Sequence, residues 1–480
     1  MSQTKRPNAS IPATIAPAPP DEPLSDHYLL TVNGQAVPVY ACRVSAIPFN
    51  QVWPGYQRPL DQTELAGFAT WDMAGGADIE IRPAGPIESV VVRPLSLGIV
   101  PDVAEGYIRF RLDRPHHAVV EVNGEHHALH LLVSPPEQEI PDPDATGVLT
   151  FGPGVHEPGL LYLESHTTVY LAPGAVVYGG IQARGKEDLR ILGRGILDGS
   201  RLARGEGSTL SLTDCRDVTI EGIVLRDPSA WCCSLFGCRD ATLADLKLVG
   251  LWRYNADGID ICNCENVTVR DCFVRAYDDN IVIKGLKQVG DLPVRNVRVS
   301  GCTLWNDWGR ALEIGAETCA PQMEDIEFAD CDIIHAVHIA LDIQHGDRAA
   351  ISGVCFRDIR VETDGENAPP KMQQSPEDRY APTAGETHLP RLLVVHITGT
   401  NYSQDRERGT VRDVRFEDIS VIGNQLPTSL IRGFDAAHDV ADLTIENLRH
   451  NAHSLGSMAE AKIDVGPHVR DLVFVPPTAG

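Results

Sequence analysis

The amino-acid sequence predicts an all-β protein, in which a small antiparallel β-sandwich domain precedes a right-handed parallel β-helix, that is, a solenoid. Three observations support this fold class. A motif of alternating apolar residues recurs about every 23 to 30 residues through the second half of the chain. Short alternating segments and Asn-Gly turns fill the region from Tyr28 to Val133. Between the repeats, no stretch follows the apolar period of a helix.

The repeat begins with an Asp or Asn and continues with aliphatic residues at alternate positions, as in 217–225 and 266–274. Eight copies begin at Asp217, Asp240, Asn266, Asn296, Asp325, Gly353, Asp413 and Asp442. A repeat of this length, without a helix, is typical of a parallel β-helix with one coil per copy. The first residue of each copy is expected at a turn, where an Asp or Asn side chain bonds backbone amides.

Composition divides the chain into three parts. Residues 1–25 are rich in Pro and Ala, which predicts a disordered tail. Residues 26–140 hold the alternating strands of the sandwich and end in a Pro- and Asp-rich linker. Residues 141–480 form the predicted β-helix domain, and the candidate site lies there. A long gap between two repeats, which includes residues 367–388, predicts a loop that projects over the cleft.

Charge and composition exclude several classes of partner. The net charge of −25 argues against nucleic acid and anionic membranes. No apolar run reaches about 18 residues, so no transmembrane helix is expected. The first residues lack a secretory signal, which predicts a cytoplasmic protein, or a secreted or periplasmic one if the native N-terminus is missing. The cysteine spacings differ from those of zinc sites, and no metal or cofactor is expected. The oligomeric state stays open.

Charged residues are concentrated in three consecutive segments, 255–260, 277–284 and 309–315. A strand points alternate side chains to opposite faces, so if Ile259 points inward, Asp260 points outward. The same alternation applies to the two later segments. Stacking of the three segments then gathers several carboxylates and a guanidinium on one small patch, which is the candidate active site.

The patch has the residues that glycosidic bond cleavage requires. Asp257, Asp279 and Arg310 fall at one common level on consecutive coils, with Asp278 beside Asp279. Rungs of a stacked sheet lie about 4.8 Å apart, so carboxylates on neighbouring rungs repel and at least one pKa is expected to rise. A carboxyl with a raised pKa is a general acid, and an ionised neighbour is a base. One coil plus a sideways offset reaches the separation of about 6.5–9.5 Å that inverting hydrolysis uses.

The motifs Asn255-Ala256-Asp257-Gly258, Asp278-Asp279 and Gly309-Arg310-Ala311 resemble glycoside hydrolase family 28, the polygalacturonases. That family has Asn-Thr-Asp-Gly, Asp-Asp and Gly-His-Gly on consecutive coils, and the resemblance covers roughly residues 149–475. It implies an inverting hydrolase of a poly- or oligosaccharide that acts with three aspartates. By position, Asp278 would be the general acid, and Asp257 and Asp279 would hold and activate the water.

Two departures from the family concern its uronate-binding residues. Arg310 replaces the family's histidine, and the Arg-Ile-Lys that grips a galacturonate carboxylate has no clear match. The corresponding coil, 338–345, supplies instead groups that suit hydrogen bonds to sugar hydroxyls. The residues expected to bind substrate are Asn255, Asp260, Lys284, Trp308, Arg310, Glu313, His338, Asp342, Gln344 and His345.

Three alternatives stay open. The order of sandwich and β-helix, with the segments 152–155 and 170–175, is similar to the dextranase and isopullulanase family, which implies a neutral α-glucan as substrate. A polysaccharide lyase would need a basic residue, for which Arg310 and Lys284 are available. A silent binding module would have no reason to gather three aspartates. Four tryptophans near the motifs are candidates either for stacking on sugar rings or for packing: Trp231, Trp252, Trp305 and Trp308.

Overall fold

The computed structural model of the chain describes residues 13–45, 50–52, 60, 63–363, 371–373 and 388–476. These ranges consist of β-strands, turns and two short 3-10 helices, Leu95–Leu97 and Lys287–Val289. Within them, no helix has the length and apolar character that crossing a membrane requires.

The N-terminal region forms two five-stranded sheets. The strands of the first, in spatial order, are β2 (Gln35–Val37), β1 (Tyr28–Val32), β6 (Ala77–Pro83), β9 (Tyr107–Leu112) and β8 (Asp102–Ala104). Those of the second are β3 (Tyr40–Ser45), β5 (Thr63–Asp72), β11 (Leu129–Ser134), β10 (His117–Val122) and β7 (Val90–Arg93). Ile79 and Ile108 of the first sheet share one apolar core with Trp71 and Leu131 of the second. The sheets are therefore a sandwich, as predicted, antiparallel throughout except for the parallel pair β5–β11.

The C-terminal region is a parallel β-helix, which confirms the fold class predicted from the repeats. Its 30-stranded sheet begins at Val148 and winds through three faces. The first face contains β12 (Val148–Phe151), β14 (Thr167–Leu171), β16 (Glu187–Gly193), β19 (Arg216–Glu221), β22 (Arg239–Ala244), β25 (Glu265–Arg270), β28 (Val294–Ser300), β31 (Gln322–His335), β33 (Ala350–Thr363), β36 (Thr410–Gly423), β38 (Val440–Glu446) and β42 (Val469–Val475).

The second face contains β13 (Gly154–Tyr162), β15 (Ala175–Arg184), β17 (Ile196–Asp198), β20 (Val224–Arg226), β23 (Lys247–Leu251), β26 (Phe273–Ala276), β29 (Thr303–Asn306), the ends of β31, β33 and β36, β39 (Arg449–His450) and β40 (His453–Ser454). The third face contains the end of β15, then β18 (Leu210–Thr213), β21 (Cys233–Phe236), β24 (Ile259–Cys262), β27 (Ile281–Gly285), β30 (Arg310–Thr318), β32 (Ile339–His345), β35 (Arg391–Ile397), β37 (Thr428–Arg432) and β41 (Ile463–Val465). A separate pair joins β4 (Asn50–Val52) to β34 (Lys371–Gln373).

The sequence repeat maps onto the first face. The Asp and Asn residues that begin the copies have left-handed backbone conformations, with φ of 53° at Asp217 and 56° at Asn266. Asn and Asp tolerate this conformation at turns better than most residues do. Inside the coil, identical side chains stack on successive rungs, and the ring centroids of Phe328 and Phe356 lie 4.8 Å apart. Repeated apolar side chains thus give one continuous core along the solenoid.

The sandwich packs against the second face of the β-helix. Phe68 and Val119, on the second sheet, share an apolar cluster with Val224, Phe273 and Trp305. The third face, which carries the candidate site, is therefore free of this contact.

Buried ion pairs accompany this apolar contact, and we call two groups of them the interface ion pairs. In the first group, Arg93 Nε of β7 lies 3.0 Å from Glu121 of β10, and the guanidinium also bonds Glu362 of β33. In the second, Arg226 Nη1 lies 2.6 Å from Glu22, and Nε bonds Asp198. All six side chains are at least nine-tenths buried.

The segment before the sandwich is ordered over part of its length. The N–H of Thr14 donates to the carbonyl of Asp72 at 2.9 Å, and the carboxylate of Glu22 pairs with Arg226 in the interface ion pairs. The prediction of a disordered tail over residues 1–25 is therefore wrong for residues 13–25, because these contacts hold them; residues 1–12 lie outside the described residues. The predicted loop over the cleft also lies outside them, apart from 371–373 and His388.

Candidate active site

The three charged segments stack on the third face. Ile259 of β24 pairs with Ile281 of β27, and Ile281 pairs with Leu312 of β30. All three are fully buried in the core. Two residues earlier, the same register places Asp257, Asp279 and Arg310 on consecutive coils, which is the arrangement that strand alternation predicts.

Close backbone approach brings the coil of Arg310 against the adjacent aspartates. A Cβ atom at Gly309 would lie 2.7 Å from Asp278 Oδ1 and 2.6 Å from Asp279 Oδ1, so only glycine fits there without a shift. The backbone N–H of Arg310 then donates to Asp279 Oδ1 at 3.1 Å. The Asn306 side chain donates to the carbonyl of Asp278 at 2.6 Å and fixes the turn.

These residues line one pocket of about 450 Å³, part of which is open to solvent. Its walls are formed by Trp231, Asn255, Asp257, Asp278, Asp279, Lys284, Arg310, Glu313, Ala316, Glu317 and Tyr402. Five carboxylic acids and two permanent or near-permanent cations therefore face the same space.

Lys284 lies among three of the acids. Its Nζ is 3.4 Å from Glu317, 3.6 Å from Asp279 and 3.9 Å from Asp257. Only 5% of Lys284 is exposed. Burial lowers the pKa of its ammonium, but the surrounding carboxylates outweigh that effect and raise the pKa.

Arg310 occupies the corresponding position one coil further on. Its Nε lies 3.5 Å from Asp342 and 3.9 Å from Glu313, and its Nη1 lies 3.9 Å from Asp279. Asp342 itself is fully buried behind the pocket wall. Asp279 is thus the carboxylate that both cations share.

The pKa values of the two adjacent aspartates, Asp278 and Asp279, are shifted in opposite directions. Burial and the neighbouring Asp279 raise the pKa of Asp278 to about 7, although Arg310 and Lys284 act in the opposite direction. Burial also disfavours the charged form of Asp279, but Lys284 and Arg310 outweigh it, so the pKa of Asp279 is lowered. Near pH 7 the pair therefore contains one carboxyl that can still hold a proton and one carboxylate.

Three further acids are held largely protonated. Burial is the main cause of the raised pKa values of Asp257, Asp260 and Glu313, and neighbouring carboxylates add to it. Neither carboxyl oxygen of Glu313 has a hydrogen-bond partner of normal geometry within the described part of the chain.

Asn255 is placed at the rim by its own turn. Its backbone is left-handed, with φ of 55°, and its Oδ1 accepts a hydrogen bond of 2.8 Å from Arg204. Gln344 and His338, on and just before β32, are half-buried beside the pocket. The ring of His338 packs edge-on against that of Trp308, with the ring centroids 4.4 Å apart. Burial lowers the pKa of His338 to about 3.

Four predicted substrate-binding residues lie away from the pocket surface. Trp308 is 7% exposed and belongs to the β-helix core, because its ring fills space between the coils. His345 is fully buried, with Nδ1 2.7 Å from the hydroxyl of Thr318. Asp260 and Asp342 are also fully buried, beneath the residues that line the wall. The structure therefore corrects the prediction of direct substrate contact for these four side chains.

Besides the small Ala316, two polar wall residues were missed by the sequence reasoning. Glu317 comes after a shift in the pairing of β30 with β27, where Ile283 pairs with Ile314 but Gly285 pairs with Thr318. An irregularity of this kind re-aims side chains, and simple alternation does not locate them. Tyr402 follows β35 in a connection whose position depends on tertiary contacts alone. Trp231, one of the four tryptophans considered, also lines the pocket.

Hydrogen bonds to Gly346 and Asp347 hold the connection that carries Tyr402. Asp347 Oδ1 accepts backbone N–H groups of Gln404 at 2.6 Å and Asp405 at 2.9 Å. The hydroxyl of Ser403 donates to the carbonyl of Gly346 at 2.7 Å. This anchoring leaves Tyr402 52% exposed at the mouth of the pocket.

Comparison with known proteins agrees with this architecture and these motifs. A family model described as glycosyl hydrolases family 28 matches residues 198–404, a range that includes every residue of the pocket wall. The probable polygalacturonase At1g80170 of Arabidopsis thaliana is 22% identical over 236 residues, 46% of this chain and 51% of that protein. Over residues 198–404 this chain is similar to glycosyl hydrolases family 28.

One solved structure shows the same fold over nearly the whole chain, and a second is similar over part of it. Dex49A from Penicillium minioluteum is 15% identical, with a TM-score of 0.56 and coverage of 96% of both chains. A hyperthermoactive exopolygalacturonase from Thermotoga maritima is 16% identical, with a TM-score of 0.45, and covers 68% of this chain and 84% of its own. The chain spans about half the length of the curated relative that it matches.

Proposed function

We propose that this protein is a glycoside hydrolase that cleaves a poly- or oligosaccharide with inversion at the anomeric carbon, using Asp257, Asp278 and Asp279. One observation carries the proposal: Asp278 and Asp279 adjoin in one pocket, and their pKa values move in opposite directions. Titratable pairs separated in this way divide the roles of acid and base. The family 28 match supports the same class of reaction.

Asp278 acts as the general acid. Its pKa of about 7 keeps a proton on the carboxyl through the mildly acidic range. The side chain is half-buried and lines the pocket, so it can reach the glycosidic oxygen of a bound sugar. Transfer of that proton to the departing oxygen neutralises the charge that develops as the bond to the anomeric carbon breaks.

Asp279 acts as the general base. It is ionised because Lys284 and Arg310 stabilise its negative charge. A water held between Asp279 and Asp257 gives its proton to Asp279 as its oxygen attacks the anomeric carbon. Asp257 is largely protonated and orients the water by hydrogen bonding, without competing for the same proton.

Spacing supports direct attack by water. Asp257 and Asp279 lie one rung apart by register, and adjacent rungs are about 4.8 Å apart. The turn that contains Asp278 adds a lateral offset. Inverting enzymes separate their carboxyl groups by about 6.5–9.5 Å to admit a water molecule, so the proposal requires the carboxyl groups to take up such a spacing around bound substrate.

The test is to replace each of the three aspartates by Asn and to assay a panel of oligosaccharides. The Asp278 and Asp279 variants are each expected to lose at least about a thousandfold in kcat/KM, because Asn neither donates nor accepts the transferred proton. Asp257→Asn is expected to lose less, because an Asn side chain can still hydrogen-bond the water. The matched control is Asp217→Asn, the same chemical change at an exposed left-handed turn of the same solenoid. Full activity in all three variants would end the proposal, as would release of an unsaturated sugar, which marks a lyase.

A further inference from the structure

We infer that the sugar unit bound against Glu313 and Arg310 is uncharged, so that the pocket accepts neutral sugars and discriminates against uronates. The inference rests on the proposed hydrolase function and specifies the substrate class of the same pocket. It depends on how the cations of the pocket are already engaged and on what the wall offers to a ligand.

Both cations of the wall face protein carboxylates. Lys284 has three carboxyl groups within 3.9 Å of its Nζ, and Arg310 has three within the same distance. A third guanidinium at the rim, that of Arg204, donates to the carbonyl of Tyr254 at 2.6 Å and to Asn255 at 2.8 Å. A substrate carboxylate would have to share these cations with the carboxyl groups that they already neutralise, although Arg310 Nε itself has no hydrogen-bond partner within the described residues.

The balance of charge also opposes an anion. Five acids line the pocket with two cations, and Asp260 and Asp342 lie directly behind. Burial, with a further contribution from neighbouring carboxylates, raises the pKa values of Asp257, Asp260 and Glu313 and so favours their neutral forms. A further carboxylate would therefore bind only with uptake of another proton, whereas a hydroxyl group needs none.

Glu313 offers the hydrogen bonds that a neutral sugar can use. It lines the pocket, is 1% exposed, and both of its carboxyl oxygens lack a hydrogen-bond partner of normal geometry among the described residues. A sugar hydroxyl both donates and accepts, so it satisfies a carboxyl group in either protonation state. A second carboxylate cannot donate and meets Glu313 favourably only when a proton lies between them.

Two aromatic side chains of the wall, Trp231 and Tyr402, offer uncharged surface to a sugar ring. Trp231 lines the pocket and packs parallel to Phe236, with ring centroids 6.2 Å apart. Tyr402 faces the same space from its anchored connection. Such faces bury the apolar C–H surface of a sugar ring without requiring charge.

The experiment uses pairs of oligosaccharides that share ring and linkage and differ only at C6. Each pair contains a uronate and its neutral counterpart, either the methyl ester or the carboxyl-reduced sugar. The full-length protein is expected to hydrolyse the neutral member with a kcat/KM about tenfold or more above that of the uronate at pH 7. For any uronate that is cleaved, KM should fall as the pH is lowered from 7 to 5, because binding takes up a proton.

Variants sharpen the comparison. Asp342→Asn and Glu313→Gln each remove one carboxylate from Arg310 and should raise the ratio of uronate to neutral activity by about fivefold or more, relative to wild type. Glu327→Gln is the matched control, because Glu327 bonds Arg357 on the first face. Two independent variants keep the test decisive if one of them fails to fold.

The outcomes separate the two claims. Preference for neutral members, with the shifted ratio in the variants, supports the inference. Preference for the uronate, or a ratio that neither folded variant changes, overturns the inference while the hydrolase function stands. Failure to hydrolyse any member of the panel removes the proposed function and, with it, the inference.

Discussion

Two groups of buried charges in this molecule differ in how closely the cations bind their carboxylates. At the contact between sandwich and β-helix, the Arg93 and Arg226 guanidiniums each bond two carboxylates at hydrogen-bonding distance. In the pocket, Lys284 and Arg310 each face three carboxyl groups at 3.4–3.9 Å. Ordinary N–H···O hydrogen bonds are about 2.7–3.2 Å long.

The pKa values of Glu121 and Asp278 differ in this sense, whereas burial raises the pKa of Glu362 at the contact. At the contact, burial acts against the charged form of Glu121, but His335 and Arg93 outweigh it and lower its pKa to about 2. In the pocket, burial and like charges raise the pKa of Asp278 to about 7. Matched charges hold two domains together, whereas surplus carboxylates keep protons available for transfer.

The largest expected effect on stability is at the interface. Arg226→Met leaves Glu22 and Asp198 buried without their cation, which should lower the free energy of unfolding by about 3–5 kcal/mol. Urea denaturation measures the change. The corresponding pocket variant, Lys284→Met, should lose less stability, because its neighbouring acids can take up protons, yet should lose most of the activity. Equal destabilisation by the two variants would contradict the comparison.

The next effect depends on pH. The pKa of Glu121 is lowered from about 4.5 to about 2, so its contribution is present above pH 4.5 and is lost as the pH falls towards 2. Glu121→Gln should therefore destabilise the protein by about 3 kcal/mol at pH 7, and by progressively less below pH 4.5. Thermal unfolding from pH 3 to pH 7 measures the difference. A constant difference across that range would contradict the assigned pKa.

Asp278 should show the opposite sign. Its folded-state pKa is raised from 3.8 to about 7, so its contribution is present below pH 3.8 and is lost as the pH rises through about 7. Asp278→Asn should have the wild-type melting temperature near pH 4 and a higher one at pH 8. The alkaline limb of kcat/KM in the wild-type enzyme should fall near pH 7 for the same reason. Equal melting temperatures of the wild-type protein and Asp278→Asn at pH 8 would contradict the raised pKa of Asp278.

The smallest effect is expected at Asp260. Its carboxyl is fully buried and its pKa is raised, first by burial and then by Asp279 and Glu317, so the neutral form is favoured and Asn replaces it with a side chain of similar size and charge. Asp260→Asn should change the melting temperature by only about 1–2 °C, and upwards if at all. Differential scanning calorimetry near pH 7 measures this. A loss comparable to that of Arg226→Met would place Asp260 among the matched charges.

Sequence periodicity predicted the solenoid and the register of the site, because both depend on local alternation. The pairing of Ile259 with Ile281 and of Ile281 with Leu312 follows from alternation alone. The sandwich followed from the same kind of pattern and from its Asn-Gly turns. These are short-range properties that each coil repeats.

The parts that sequence reasoning missed depend on departures from alternation or on tertiary packing. Glu317 follows an irregularity in the pairing of β30, and Tyr402 lies on a connection held by Asp347. Trp308 was predicted to contact sugar, but space between the coils takes its ring into the core. Residue type and spacing do not reveal how deep a side chain lies.

The configuration of the first product tests the central claim most directly. An oligosaccharide that the wild-type protein cleaves is followed by proton NMR from the first turnover, before the released anomers equilibrate. We expect the newly formed hemiacetal to have the anomeric configuration opposite to that of the bond cleaved. The reason is that water held by Asp257 and Asp279 attacks while Asp278 protonates the departing oxygen. Retention of configuration would contradict it.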